Sequence, residues 1–280
     1  MKILIVGGKS SIAQALIPVL KLKNEVLTSN RKDGDIPIDF ESDNPITIPL
    51  HLDALVHTVA HFGGNDFEDI LKAENINVLG TLKLLSAAKE SKVKHIILIS
   101  SIYALLKPNS SNYNIYSISK KQSEEVATYF CNLNNIKLTI LRPSLLYGNG
   151  ESFKKHQPIV YTFIDKAIKM ENIEIFGNHD PLRNYLHVDD LATVIERVIS
   201  YKVIGTFNLT NPVNISFSQI ANAAFNACKF NGTISFDRTR QNIEDVVFEN
   251  DETIYRLIDF FPKISIDSGL KQIIENKNYV

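Results

Sequence analysis

The stretch His95-Ile-Ile-Leu-Ile-Ser-Ser101, followed after a loop containing Pro108 by Tyr116-Ser-Ile-Ser-Lys120, decides how the whole chain is read. Its first half is an apolar run ending in two hydroxyls, the pattern of a buried strand. Its second half opens a helix in which Tyr116 and Lys120, four residues apart, share one face. Ligands of open α/β sheets bind beyond the strand ends. Hydroxyl, phenol and ammonium therefore converge where a ligand would lie.

These residue types have a joint chemistry. A free tyrosine titrates near ~10 and shuttles protons poorly at neutral pH unless a cation such as Lys120 stabilises its phenolate. Ser101, or Ser100 beside it, can hydrogen-bond the oxygen of a substrate carbonyl or alcohol and hold it against the phenol. Tyr116 then serves as general acid for ketone reduction and as general base for alcohol oxidation. Tyr103-Ala-Leu-Leu-Lys107 has the same spacing but runs into Pro108, which disfavours helix just before it. From Tyr116 the helical pattern continues, with Ile118, Val126, Tyr129 and Phe130 for a buried face and Lys120, Lys121, Glu124 and Glu125 as polar relief.

Outward from this stretch the same alternation repeats. Residues 2–6 are continuously apolar and lead into Gly7-Gly8-Lys9-Ser10-Ser11-Ile12-Ala13 and an amphipathic segment to about Leu22. Strand, tight turn and helix form an arrangement whose backbone N–H groups can bind a pyrophosphate. The usual three-glycine fingerprint is reduced here to Gly7, Ser10 and Ala13, and Pro18 can bend the helix. A second strand, Glu25-Val-Leu-Thr-Ser29, ends in Asn30-Arg31-Lys32. An acidic residue there would suit the ribose of NAD, whereas two cations suit a 2′-phosphate, so NADP is favoured and NAD stays open. Ile36-Pro-Ile-Asp39-Phe40 reads as a short strand end near the adenine, and Leu52 to Ala60 as a further strand. Residues 66–91 carry Ile70, Leu71, Val78, Leu82, Leu85 and Ala88 at helical spacing and read as one long helix. The alternation predicts an α/β fold with a doubly wound parallel sheet.

Composition bounds the function. The 280 residues are 44% apolar, and the net charge of -1 gives no electrostatic reason to expect nucleic acid or a membrane surface as partner. No stretch is long and apolar enough for a membrane span, and the short run Met1–Val6 does not read as a secretory signal, so a cytoplasmic location is expected. Cys131 and Cys228 build no disulfide framework, and no metal-ligand spacing is present; His57 and His61 read as core or loop residues.

The chain resembles the extended short-chain dehydrogenase/reductase family, the NAD-dependent epimerase/dehydratase and reductase group acting on nucleotide sugars. The resemblance is carried by residues 5–8, Asp39-Phe40, Val56–Ala60, Asn77-Val-Leu-Gly-Thr81, Leu84–Ala88, Ser100-Ser101, Tyr116 with Lys120, Leu141-Arg-Pro-Ser-Leu-Leu-Tyr-Gly148, Arg183–Leu191, Gly205–Asn208 and Pro262–Leu270. It implies an NAD(P)-binding Rossmann fold and a catalytic set of Ser101, Tyr116 and Lys120. It also implies that Gly7, Gly8, Lys9, Ser10, Ser11 and Ile12 hold the pyrophosphate, Asn30 and Arg31 the adenosine phosphate, and Asp39 and Phe40 the adenine. Val59, Ala60 and Asn77 would line the path to the nicotinamide, and Lys120 would also bind its ribose. Arg183 is the implied substrate-side residue for a nucleotide-sugar diphosphate, with Arg238 and Arg240 weaker and Asn178 weaker still.

Departures from the family pattern select the reaction. Family dehydratases follow the catalytic hydroxyl with an acidic pair, whereas Ile102 and Tyr103 follow here, which argues against dehydration. Epimerases of the family usually have a clean glycine fingerprint and an acidic second-strand end. The resulting expectation is an NADPH-dependent reductase of a keto group on a nucleotide-linked sugar, of the 4-keto-6-deoxy kind found in deoxysugar biosynthesis. An NAD-dependent epimerase is the alternative, and a non-catalytic nucleotide-binding relative the second. The expected domains are 1–148 with about 185–211 for the dinucleotide, and about 149–184 with 212–280 as a smaller substrate-binding portion. A homodimer could form through the 66–91 and 113–131 helices.

Overall fold

The computed structural model describes residues 1–276. Residues 277–280, the end of the range expected for the substrate-binding portion, lie outside them. The chain divides into two compact units, one of residues 1–143, 192–209 and 253–259, the other of residues 144–191, 210–252 and 260 onward.

The first unit is built on strands β1 (Lys2–Val6), β2 (Glu25–Asn30), β3 (Ile36–Pro37), β4 (Ala54–His57), β5 (His95–Ile99) and β6 (Lys137–Pro143), with helices α1 (Ser11–Lys21), α2 (Phe67–Ala73), α3 (Gly80–Glu90) and α4 (Ile115–Leu133). With the strand Gly205–Leu209 these form one seven-stranded sheet, ordered Gly205–Leu209, β6, β5, β4, β1, β2, β3. Every pairing is parallel. The apolar runs seen in the sequence are the buried central strands: Ile3, Leu4, Ile5 and Leu55 are fully buried. The chain leaves β1 toward β2 and β3, then returns to β4 on the opposite side of β1. That reversal is the topological switch point, at whose strand ends ligands bind.

Two expectations are corrected. Residues 66–91 are not one regular helix, because Glu74–Leu79 is π-helical between α2 and α3. This wider turn brings Asn77 inward, where its Nδ2 donates to the carbonyl of His61 (2.8 Å) and to Ser119 Oγ (2.9 Å), and its Oδ1 accepts from the His61 N–H (2.7 Å). The buried face of α4 is also not the expected apolar one. It consists of Ser117, Ser119, Lys120, Ser123, Glu124, Ala127 and Cys131, while Tyr129 and Leu133 are 72% and 68% exposed. The small and polar residues face inward because their hydrogen bonds are made there, as described below.

The second unit packs the helices Pro158–Ile168, Phe217–Cys228 and Ile266–Glu275 beside three two-stranded pairs. Tyr147 is its buried pivot, with its hydroxyl donating to the carbonyl of Ser265 (3.2 Å). Among the described residues no helix is long and apolar enough to cross a membrane.

Candidate active site

The turn after β1 is shaped by its glycines. Gly7 has φ +92, and a Cβ on it would lie 2.7 Å from Val59 Cγ2 and 2.8 Å from Thr58 Oγ1. The Gly7 and Gly8 N–H groups both donate to the carbonyl of Ser29, at 3.0 and 2.9 Å, and the Lys9 N–H donates to Asn30 Oδ1 (2.9 Å). Ser10 caps α1 by accepting from the Ala13 N–H (3.1 Å), and its hydroxyl hydrogen-bonds Thr58 Oγ1 (2.8 Å) across the switch point. The first-turn amides of Ser11 and Ile12 are left as donors at the positive end of α1. The serine in place of the second fingerprint glycine thus has its own work, joining the turn to β4.

Beside this turn lies a cavity of about 120 Å³ whose lining includes Gly7, Asn30, Arg31, Phe40, Val59 and Ile76. Phe40 is buried with its ring 5.5 Å from His57, and α3 approaches so closely that a Cβ on Gly80 would stand 2.9 Å from that ring. Arg31 donates to Glu41 Oε2 (2.5 Å) and lies 3.5 Å from Asp39 Oδ1. Lys9 pairs with Asp33. Asp39 thus meets the Arg31 guanidinium, and Glu41, which sequence reasoning did not single out, is its shorter partner.

At the end of β5 three successive residues are each held by one side chain of α4. Lys120 Nζ donates to the carbonyl of Ile99 (2.6 Å), Ser100 Oγ donates to Glu124, and Ser101 hydrogen-bonds the Tyr116 phenol. The sequence left open which serine meets the phenol, and the geometry separates the two. Asn114 caps α4 by accepting from the Ser117 N–H (3.2 Å), which fixes where the helix begins and so where Tyr116 points. Burial pushes the Tyr116 phenol up to about 12, against a downward pull from the Ser101 hydrogen bond. Burial pulls the Lys120 ammonium down to about 8, opposed by the charge of Glu124. The expectation that Lys120 lowers the pKa of Tyr116 is therefore not met: the ammonium is turned to the Ile99 carbonyl and desolvation governs the phenol.

Two neighbours escaped the sequence reading. Phe62, in the loop after β4 that also carries Val59 and Ala60, stacks on the Tyr116 ring at 4.8 Å and 17°. Arg142 grips Glu124 with both arms: Nε to Oε1 at 2.9 Å and to Oε2 at 3.0 Å, and the terminal nitrogen to Oε2 at 2.5 Å. The signal for Glu124 was its place four residues after Lys120 on the same face; for Phe62 the sequence held none.

The proposed substrate-side residues lie in the second unit. Arg183 donates to the carbonyls of Leu182 (2.8 Å) and Glu244 (2.7 Å), and its guanidinium sits 4.9 Å over the Phe217 ring. Arg238 is exposed in the turn after the strand Ile234–Asp237, and Arg240 lies over Phe176. The Asn178 N–H donates to Asn242 Oδ1 (2.8 Å).

Comparison with known proteins places this geometry. The model of the NAD dependent epimerase/dehydratase family matches residues 3–209. The chain belongs to that family. It is an enzyme of the extended short-chain dehydrogenase/reductase group that uses a nicotinamide cofactor, as the resemblance implied. Among curated family members, the putative UDP-glucose 4-epimerase of Methanocaldococcus jannaschii is 24% identical over 253 residues, 87% of this chain and 80% of that protein. Among solved structures, the UDP-glucuronic acid 4-epimerase of Bacillus cereus in complex with NAD superposes with a TM-score of 0.77 at 18% identity, covering 97% of each chain. The structure of RMD from Pseudomonas aeruginosa complexed with NADPH gives a TM-score of 0.79 at 18% identity, again with 97% of each chain covered. The doubly wound fold expected from the sequence is the fold of these enzymes.

Proposed function

We propose that the protein is an NADPH-dependent reductase of a keto group on a nucleotide-linked sugar, with 4-keto-6-deoxy sugars as the first substrates to test. The observation that carries this reading is Tyr116: a phenol held protonated at neutral pH, hydrogen-bonded to Ser101 beyond a strand end, with Lys120 one turn along the same helix. A protonated phenol is a proton donor, which is what carbonyl reduction asks of it. The residues fit a nicotinamide dinucleotide. The first-turn amides of Ser11 and Ile12 would take the pyrophosphate, Asn30 and Arg31 the adenosine phosphate, and Asp39 and Phe40 the adenine, with Val59, which also lines the cavity, on the path to the nicotinamide.

The cofactor supplies the hydride. Ser101 orients the substrate oxygen, Tyr116 gives it the proton, and the Lys120 cation stabilises the phenolate left behind. In this reading residues 1–143 with 192–209 and 253–259 are the dinucleotide-binding unit, and the second unit, with Arg183 and Arg238, takes the nucleotide sugar. The cytoplasm is the proposed location. A homodimer is proposed through the exposed apolar side chains Ile70, Leu71, Leu79 and Leu82 on the 66–91 segment and Tyr129 and Leu133 on α4.

Titration of the purified protein with NADPH and NADH, repeated on Arg31→Asp, tests the proposal. Preference for NADPH that is lost or reversed in the variant, together with NADPH oxidation by a 4-keto nucleotide sugar, is the expected result. Tight NAD binding indifferent to the change would point to the second reading, an NAD-dependent epimerase. That reading is favoured by one observation: Arg31 already faces two carboxylates, Asp39 and Glu41, which neutralise it.

A further inference from the structure

We infer that Glu124 is a positioning residue of the active site: clasped by Arg142, its carboxylate fixes the Ser100–Ser101 strand end against α4 and supplies the buried negative charge that accompanies the Lys120 ammonium. The inference rests on the assignment of Tyr116 and Lys120 as the reacting pair, and concerns how that pair is held and charged.

The geometry is that of a buried network. Glu124 is 5% exposed and Lys120 2% exposed, so neither charge is solvated by bulk water. An isolated buried ion is strongly disfavoured, and such charges persist only when paired and hydrogen-bonded. Glu124 receives three contacts within hydrogen-bond distance from Arg142 on β6 and one from Ser100 beyond β5. Lys120, one helical turn earlier, donates to the Ile99 carbonyl. The carboxylate is therefore tied to the residue next to the one that holds the lysine, and to the residue next to the one that meets the phenol. A displacement of Glu124 would move Ser100, and with it Ser101.

The charge balance follows. Two cations, Lys120 and Arg142, share one buried carboxylate. The other ionisable groups on the elements against α4 do not replace it. His57 on β4 is neutral, its protonation opposed by burial and by the Lys120 charge itself. Tyr103 in the turn after β5 raises the pKa of Tyr116 rather than lowering it. Glu74 on the π-helical segment is pushed toward its neutral form by burial, and Asp69 on α2 lies 3.4 Å from His61. Removing the charge of Glu124 leaves Lys120 opposed by desolvation alone, so the lysine releases its proton at lower pH.

Glu124→Gln, which keeps the shape of the side chain, tests the inference through two readouts that require no substrate. The first is NADPH affinity, followed by cofactor fluorescence across the pH range. Wild type is expected to weaken as pH rises through about 8, where Lys120 loses its charge, and the variant to weaken at least about one pH unit lower. The second is unfolding stability against pH. Its rise toward alkaline pH, due to a lysine that folds with a depressed pKa, should begin correspondingly lower in the variant. Should Glu124→Gln fail to fold, the double variant Glu124→Gln/Arg142→Met removes the clasped pair together, leaves no orphaned guanidinium, and, with the carboxylate gone from beside Lys120, is expected to shift both curves the same way. A folded variant whose two curves coincide with wild type overturns the inference. A purely structural role would lower stability uniformly without displacing either curve, and would overturn it equally. If wild type binds neither NADPH nor NADH, the functional reading fails on its own, and the stability curves still decide the role of Glu124.

Discussion

Lys120 Nζ donates to the carbonyl of Ile99 across 2.6 Å, so the ammonium proposed for catalysis is docked on the last residue of β5. Burial holds its pKa near 8 against an ordinary value of 10.5. The unfolded chain binds more protons than the native one between those values, so stability rises with pH across that window and is lower below it. The gap corresponds to a cost on the order of 3 kcal/mol for folding with the lysine charged. Lys120→Met is expected to abolish the rise in unfolding free energy between pH 8 and 10.5. Denaturant titrations at several pH values check this; an unchanged slope would mean that another group titrates there.

Tyr116→Phe removes the proton donor and leaves its ring, which stacks on Phe62 at 4.8 Å. General acid catalysis contributes roughly 10²–10⁴-fold. Turnover of whichever nucleotide sugar proves active should fall by about that factor, while NADPH affinity changes little. A variant that keeps even a tenth of the turnover would remove Tyr116 from the mechanism.

His57 and His95 are buried and folded in the neutral state, with pKa values lowered by desolvation to about 3 and about 4. His95 hydrogen-bonds Thr139 Oγ1 at 2.7 Å and His57 hydrogen-bonds Thr81 Oγ1 at 3.1 Å. Their contribution is fully present above the ordinary value of 6.5 and is lost as pH falls toward these folded values. The protein should therefore weaken on acidification from about pH 6.5, and His95→Asn should flatten that decline by about one proton's worth. Comparing denaturation midpoints near pH 7 and near pH 5 measures it.

What the sequence made legible was the part governed by local pattern. Apolar runs at 2–6 and 95–99 became buried parallel strands, and the Tyr116–Lys120 spacing placed both side chains beside β5. Illegible was whatever depends on which partner a polar residue finds. Glu124 looked like a solvated charge because hydropathy carries no record of Arg142, eighteen residues away on another element. The apolar face expected for α4 failed for the same reason, since Tyr129 scores as core while Ser117, Ser119 and Ser123 do not, yet the serines face inward. The π-helical turn at Glu74–Leu79 alters phase without altering composition. Arg31 was legible as a cation at the end of β2, but its pairing with Glu41 was not.

Gly7 supplies the last prediction, because two independent constraints meet on it. Its φ of +92 lies where L side chains are rarely found, and the space a Cβ would occupy is already filled by Val59 and Thr58. Gly7→Ala must therefore either strain the backbone or push β4's continuation away from β1. Backbone strain of this kind costs about 1–3 kcal/mol. Displacement has the more local consequence. Thr58 Oγ1 donates to the Val6 carbonyl (2.9 Å) and hydrogen-bonds Ser10, the cap of α1, so moving it turns the first-turn amides of Ser11 and Ile12. If those amides bind the pyrophosphate, NADPH and NADH affinity should both fall by at least about tenfold, since the loss of even one charge-assisted hydrogen bond is worth that much. The comparison with Arg31→Asp is what gives the result meaning: the glycine variant should weaken both cofactors alike, whereas the arginine variant should weaken NADPH selectively. A folded Gly7→Ala protein with undiminished affinity would place the cofactor's phosphates away from this turn.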